Sequence, residues 1–368
     1  MRLLAILLAT AAFAQRSPQP TPVRSPEILP DSRVIFRLRA PNAAEVALRG
    51  EWMPPKTTEA MTKSEEGVWS ITVGPVEPQL YTYSFVVNGT SMVDPANPLI
   101  KAGNAGPTSM VDIQGPKVNF FAWRDVPHGA IHVHHYNSAS VHANRRVHIY
   151  TPPGYESSPK ETYPVLYLLH GSGDTDMEWS TIGRAGMIAD NLLTDGRLRP
   201  LIIVMPDGHV VKSGDRASNA QLFESDLVGD IIPLVEKTYR VKKGRESRAL
   251  AGLSMGGSQT LRISLNHPGK FAYIGVFSSG VSAATTDEFK KRHESVLAKG
   301  AEFSKQTRLF WVGMGKDDSG AANAQNMVDL LKSSGIETTF HLSEGGHTWK
   351  NWRDYLAQFL PRLFRERS

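Results

Sequence analysis

No cysteine occurs anywhere in the 368-residue chain. Disulfides, thiolate metal sites, a cysteine nucleophile and a lipidated N-terminal cysteine are thereby excluded, and core burial must hold the fold together. Also missing is any Lys/Arg run interleaved with aromatic residues, and the formal charge is only +5, so no nucleic-acid partner is expected. The apolar run in MRLLAILLATAAFA is too short to cross a bilayer. It follows one basic residue, Arg2, and ends in the small-x-small triplet Ala12-Phe13-Ala14, which reads as an export signal over residues 1–14, cut before Gln15. The expectation is a secreted or periplasmic protein with no membrane partner after cleavage.

What is present divides the remainder. Residues 15–30, QRSPQPTPVRSPEILP, carry five prolines among polar residues and read as an extended linker. Over residues 31–116 the period is two: Val34, Phe36 and Leu38 alternate with Arg37 and Arg39, and Trp69, Ile71 and Val73 with Ser70 and Thr72. Asn88-Gly89, after the alternating Tyr81 to Val87, signals a tight hairpin. Short strands, frequent turns and no convincing helix predict a small β-sandwich. Over residues 118–368 the apolar runs VHIYTPP, PVLYLLHG, LIIVMPDG, RALAGLSM, YIGVFSSG, RLFWVGMG and TTFHLSEGG are interspersed with amphipathic stretches such as DLVGDIIPLVEKTY and AQNMVDLLKSSG. That pattern predicts an α/β fold, a mostly parallel sheet covered by helices on both faces.

The chemistry is most specific at AGLSMGG, where Gly252-Leu253-Ser254-Met255-Gly256 fits G-x-S-x-G between a strand and a helix. Such a turn lifts the serine hydroxyl to the strand's C-terminal end beside a helix N-terminus, which makes Ser254 a candidate nucleophile. A hydroxyl needs a base, and the base needs an acid to fix its tautomer, in the order Ser, acid, His for this architecture. His293 lies in the charged KKRHES and reads as an exposed helix face; His341 sits inside the strand TTFHLS. His347 follows SEGG at a strand end and is the candidate base, with His341 second. The acid is expected in GMGKDDSG, where Asp317 and Asp318 leave a strand on different sides, so that only one can face the histidine, and spacing does not choose between them. LLHGSGD supplies an H-G-x-G turn whose Ser172 N–H, or alternatively that of Gly171, would join the Met255 N–H as an oxyanion donor.

Other signals are weaker. His132, His134 and His135 in IHVHHYN have no carboxylate cluster nearby and read as a polar strand, not a metal site. Trp69 and Tyr83 read as sandwich core, Trp52 as an exposed loop ring available for stacking on sugar, and Trp179 and Trp349 as candidate substrate-binding aromatics.

Together RVHIYTPPGYE, YPVLYLLHGSGDTDMEW, DLVGDIIPLVEKTYRV, RALAGLSMGGSQT, LFWVGMGKDD and EGGHTWKNWRDYLAQFLPRLF resemble the esterase D-like group of α/β-hydrolases, specifically carbohydrate esterase family 1. That family contains feruloyl and acetylxylan esterases, with relatives described as enterochelin esterases. FRLRAPNAAEVALRG, GVWSITVGP and YTYSFVVNG with DPANP are similar to early-set, immunoglobulin-like modules related to carbohydrate-binding module family 48. The resemblance implies a triad of Ser254, His347 and the Asp that closes G-x-x-D, which in Gly315-Lys316-Asp317-Asp318 is Asp318. It implies an exported serine esterase that needs no cofactor or metal and acts on feruloylated or acetylated xylan or its oligosaccharides. The alternative is a siderophore trilactone or another soluble ester. A module of this kind separate from the site would make residues 15–116 dispensable for small aryl esters.

Overall fold

Alternation along the chain becomes alternation of side chains across sheets. In the computed structural model, which describes residues 22–211 and 215–365, residues 27–113 form two antiparallel sheets. The first orders its strands Glu27–Ile28, Val34–Arg39, Val68–Val73, Thr62–Lys63. The second orders Glu59–Ala60, Val46–Gly50, Gln79–Val87, Thr108–Ile113, Ile100–Lys101, with Thr90–Met92 folded back on Gln79–Val87. Val34, Phe36 and Leu38 share one core with Val46, Leu48, Phe85 and Val111, and Trp69 and Tyr83 join it. At the hairpin tip Asn88 and Gly89 have φ of 47° and 81°, both left-handed, as a type I′ turn requires. Trp52 is not the free ring expected: it is half-buried, stacked 5.6 Å from Phe36 and set edge-on to Tyr81. The expected export signal lies outside the described residues, and no helix among those described is long and apolar enough to cross a membrane.

The second half is built on eight strands: β1 (Ala130–Ser138), β2 (Ala143–Thr151), β3 (Val165–Leu169), β4 (Ile202–Pro206), β5 (Arg248–Leu253), β6 (Tyr273–Phe277), β7 (Leu309–Gly315) and β8 (Thr339–Ser343). Their order is β1-β2-β4-β3-β5-β6-β7-β8; β2 runs antiparallel to both neighbours and the rest of the sheet is parallel. Because successive side chains point to opposite faces, Leu166 and Leu168 of β3 enter one core while Val165, Tyr167 and Leu169 enter the other. Helices α1 (Ala185–Thr194), α2 (Met255–Asn266), α3 (Ala321–Ser333) and α4 (Trp349–Phe359) cover the faces. The polar strand IHVHHYN is edge strand β1, where His132 bonds Thr151 Oγ1 at 2.9 Å and His134 bonds Tyr239 Oη at 2.5 Å.

The sandwich shares a core with the hydrolase half. Leu80 and Met110 belong to the same core cluster as Trp179, Phe121 and α4 residues. Arg353 of α4, fully buried, donates to Ile182 O (2.8 Å), to Gln79 Oε1 (2.7 Å) and to Leu80 O (3.0 Å), and lies 4.7 Å over the Phe121 ring. Burial pulls its pKa down to about 9, which still leaves it charged at neutral pH. Two of the three acceptors of this buried cation, Gln79 Oε1 and Leu80 O, belong to the sandwich, and their removal would leave the charge with Ile182 O alone.

Candidate active site

Ser254 stands where β5 turns into α2, at φ 52° and ψ −113°, a backbone state a side-chain-bearing residue adopts only under constraint. Glycine supplies the room. A Cβ on Gly252 would fall 2.5 Å from the Gly256 backbone, and one on Gly256 would fall 2.6 Å from His170 O. Backbone bonds then lock the turn: Ser254 N–H donates to Phe277 O (2.9 Å) and Gly256 N–H to His170 O (3.1 Å).

The chain leaves β7 through Lys316, whose N–H donates to Ser343 O, and Asp317, whose N–H donates to Gly345 O. That register turns Asp317 outward into solvent and Asp318 inward to 5% exposure. Asp318 Oδ2 lies 2.8 Å from His347 Nδ1, and Oδ1 accepts the Gly320 N–H at 2.9 Å. Burial pushes the Asp318 carboxyl up, but bonds from His347 and Gly320, the charge of His347 and the Ser278 hydroxyl outweigh it and hold it below the usual range. His347 Nε2 reaches Ser254 Oγ at 3.0 Å, which completes a hydrogen-bonded line from carboxylate through imidazole to hydroxyl. The geometry allows proton withdrawal from Ser254 and acyl transfer to it.

The remaining candidates are distributed as follows. Met255 opens α2, so its N–H has no carbonyl one turn earlier to bond. Ser172 is exposed in the turn after β3, and Gly171 packs against the elbow, its hypothetical Cβ 3.5 Å from Ser254 Cβ. Trp179 and Trp349 are corrected: both are buried, packed edge-to-face 5.1 Å apart, with Trp179 Nε1–H donating to Leu169 O, so neither ring faces a solvent-borne substrate. His341 stacks on Trp311 and meets Gln358, away from Ser254. His293 is also corrected, being buried beside Phe289, not on an exposed face. Sequence pattern misses Ser278 and Trp352. Trp352 sets its ring edge-on to His347 at 5.0 Å and donates Nε1–H to Ser278 Oγ at 3.0 Å, bracing base and acid together. Ser278 follows β6 at φ 47°; FSSG carries no motif that would mark it. Among the described residues no group of three or more His, Asp or Glu side chains could hold a metal ion.

A family model described as "Putative esterase" matches residues 138–363, and one described as carbohydrate-binding module 48 (isoamylase N-terminal domain) matches residues 23–98. A xylanase/feruloyl esterase of Xylanibacter ruminicola is 30% identical over 373 residues, covering 96% of this chain and 49% of that protein. The chain thus spans about half the length of that curated relative. A ferulic acid esterase structure superposes with a TM-score of 0.57 at 25% identity, covering 64% of this chain and 97% of its own. The enterobactin esterase FES from Shigella flexneri superposes with a TM-score of 0.64 at 18% identity, covering 89% and 92%, a likeness of fold. The architecture is an α/β-hydrolase preceded by a β-sandwich of the carbohydrate-binding module 48 kind.

Proposed function

The chain belongs to the esterase family matched over residues 138–363, and from that premise we propose that it is an exported serine esterase that removes feruloyl or acetyl groups from xylan or its oligosaccharides. The observation that carries the chemistry is the line Asp318, His347, Ser254 at 2.8 and 3.0 Å. Ser254 attacks the ester carbonyl as His347 Nε2 takes its proton; Asp318 holds the other ring nitrogen and offsets the imidazolium charge. The N–H groups of Met255 and Ser172 receive the oxyanion, His347 returns the proton to the leaving alcohol, and water repeats the sequence on the acyl-enzyme. No step requires a metal or cofactor. The choice of ester rests on the likeness to the xylanase/feruloyl esterase, which runs through both halves of this chain. A His347 side chain 44% exposed puts the reacting groups at the surface, where a polymer has access. Residues 31–116 serve as the sugar-associated module and residues 118–368 as the hydrolase.

The test is a panel of methyl ferulate, acetylated xylan, enterobactin and p-nitrophenyl acetate with wild type and Ser254→Ala. Turnover of the first two and its loss by at least about 10⁴-fold in Ser254→Ala are expected. Activity surviving in the variant would sink the mechanism, and turnover of enterobactin alone would replace the cell-wall substrate with a siderophore trilactone.

A further inference from the structure

The turn that carries Ser172 is held from both sides, and one side is the sandwich. Within the hydrolase, Gly171 O accepts Asp174 N–H at 3.1 Å and His170 Nδ1–H at 2.8 Å. Gly208 N–H donates to His170 Nε2 at 2.8 Å, so Nδ1 carries the hydrogen that reaches Gly171 O. In a trans peptide the N–H points opposite the carbonyl, so pinning Gly171 O sets the direction of Ser172 N–H.

The other side comes from the loop that follows the sandwich strand Ile100–Lys101. Asn104 N–H donates to Gly173 O at 2.8 Å, and Gly103 N–H donates to Glu178 Oε1 at 2.9 Å. Lys101 Nζ lies 2.7 Å from Asp174 Oδ1, with side chains only 15% and 7% exposed. The second Asp174 oxygen stands over Gly171, 3.2 Å from where its Cβ would be. Away from water this ion pair is little screened, and loss of either partner leaves a mostly buried charge alone. Asp174 is the last residue of the turn and donates its N–H to the turn's first carbonyl; movement of its carboxylate moves the turn.

We propose that Lys101 is a positioning residue for ester hydrolysis: through Asp174 it holds the 171–174 turn at the angle where Ser172 N–H meets the developing oxyanion. The inference rests on the serine-esterase reading above. It makes the sandwich part of the catalytic apparatus in addition to any role in binding sugar.

Lys101→Met, Lys101→Arg, Asp174→Asn and the Lys101→Met/Asp174→Asn double variant are assayed on p-nitrophenyl acetate in the full chain, beside Ser254→Ala. Phenylboronic acid, whose boron accepts Ser254 Oγ to give a tetrahedral adduct, reports the oxyanion geometry as Ki. Lys101→Met is expected to lower kcat roughly 10- to 100-fold, with KM within about twofold and Ki raised by the same factor as kcat falls. Lys101→Arg should restore most of kcat, and the double variant should be no worse than Lys101→Met, because both changes break one link. A kcat for Lys101→Met within about twofold of wild type overturns the proposal, as does a kcat loss with Ki unchanged, which would mark a structural role only. If Lys101→Met does not fold, Asp174→Asn, which keeps the side-chain shape, decides by the same criteria. Failure of the esterase reading is separately visible as full turnover by Ser254→Ala.

Discussion

Two turns meet at the reacting atoms, and they are built by opposite means. The elbow from Gly252 to Gly256 is set by neighbours: two positions without room for a Cβ, a strand before and a helix after. The turn from Gly171 to Asp174 is held partly by His170 beside it and partly by Lys101, Gly103 and Asn104, far earlier in the chain. A local device announces itself in sequence as a motif with fixed spacing. A device assembled from distant residues shows only its near half. The histidine and acid fall between these extremes, since their turns are local but their register against each other is set by the pairing of β7 with β8.

The sharpest break of that register is at the two aspartates. Asp318→Asn keeps the shape but gives up the charge that orients His347, and is expected to lower kcat by about 10⁴-fold. Asp317→Asn, in solvent, should stay within about twofold, since surface changes away from special features are nearly neutral. Steady-state kinetics on p-nitrophenyl acetate compares them; the reverse ranking would mean that Asp317 is the partner of the base.

How much could be read in advance follows the same division. Ser254 was legible because G-x-S-x-G has a steric reason, and His347 because the order of groups and a strand end leave few choices. The eight-strand sheet and the sandwich were legible from period and turn chemistry, down to Asn88-Gly89. Asp318 was not legible from spacing alone; it needed a family pattern, because alternation at a strand end separates two residues without saying which faces in. Trp52, Trp179 and Trp349 depart from their sequence expectation because a large ring beside a motif is equally suited to the core, and burial is decided by elements remote in sequence. Ser278, Trp352, Lys101 and Arg353 carry no local signal at all.

The elbow itself can be broken without touching a polar group. Gly256→Ala drives a methyl to 2.6 Å from His170 O and 2.7 Å from Leu169 O, and so displaces both Ser254 and the start of the H-G-x-G turn. A kcat loss of about 100-fold is expected, with a stability loss of roughly 1–3 kcal/mol. An active, stable Gly256→Ala would show that the elbow is less locally determined than its crowding implies.

Arg353 separates holding the sandwich from aiming the turn. Arg353→Met takes the guanidinium donor from Gln79 Oε1, Leu80 O and Ile182 O and should cost about 2 kcal/mol, a fall in Tm of roughly 3 °C. Since none of these bonds reaches residues 171–174, kcat should remain within about threefold, unlike the Lys101 variants. A kcat loss as large as that of Lys101→Met would mean that any loosening of the sandwich disturbs the turn.

An effect confined to acid pH comes from His293, where local sequence is most at odds with burial. Its neighbours Lys290, Lys291 and Arg292 are exposed, yet the ring is 3% exposed beside Phe289. Burial, aided by the charges of Arg292 and Arg262, pushes its pKa from 6.5 to about 4. Between those values the unfolded chain binds a proton that the folded chain does not, so stability falls as pH drops from about 6.5 and stops falling for this reason near pH 4. At pH 5 the loss relative to pH 7 should be about 2 kcal/mol, read as a lower urea midpoint, and His293→Phe should flatten that dependence. At pH 7 the wild-type contribution vanishes, so a variant equally acid-sensitive would place the titrating group elsewhere. The charges in KKRHES describe the outer face of that segment, and only packing against the rest of the chain decides that the histidine belongs to the inner one.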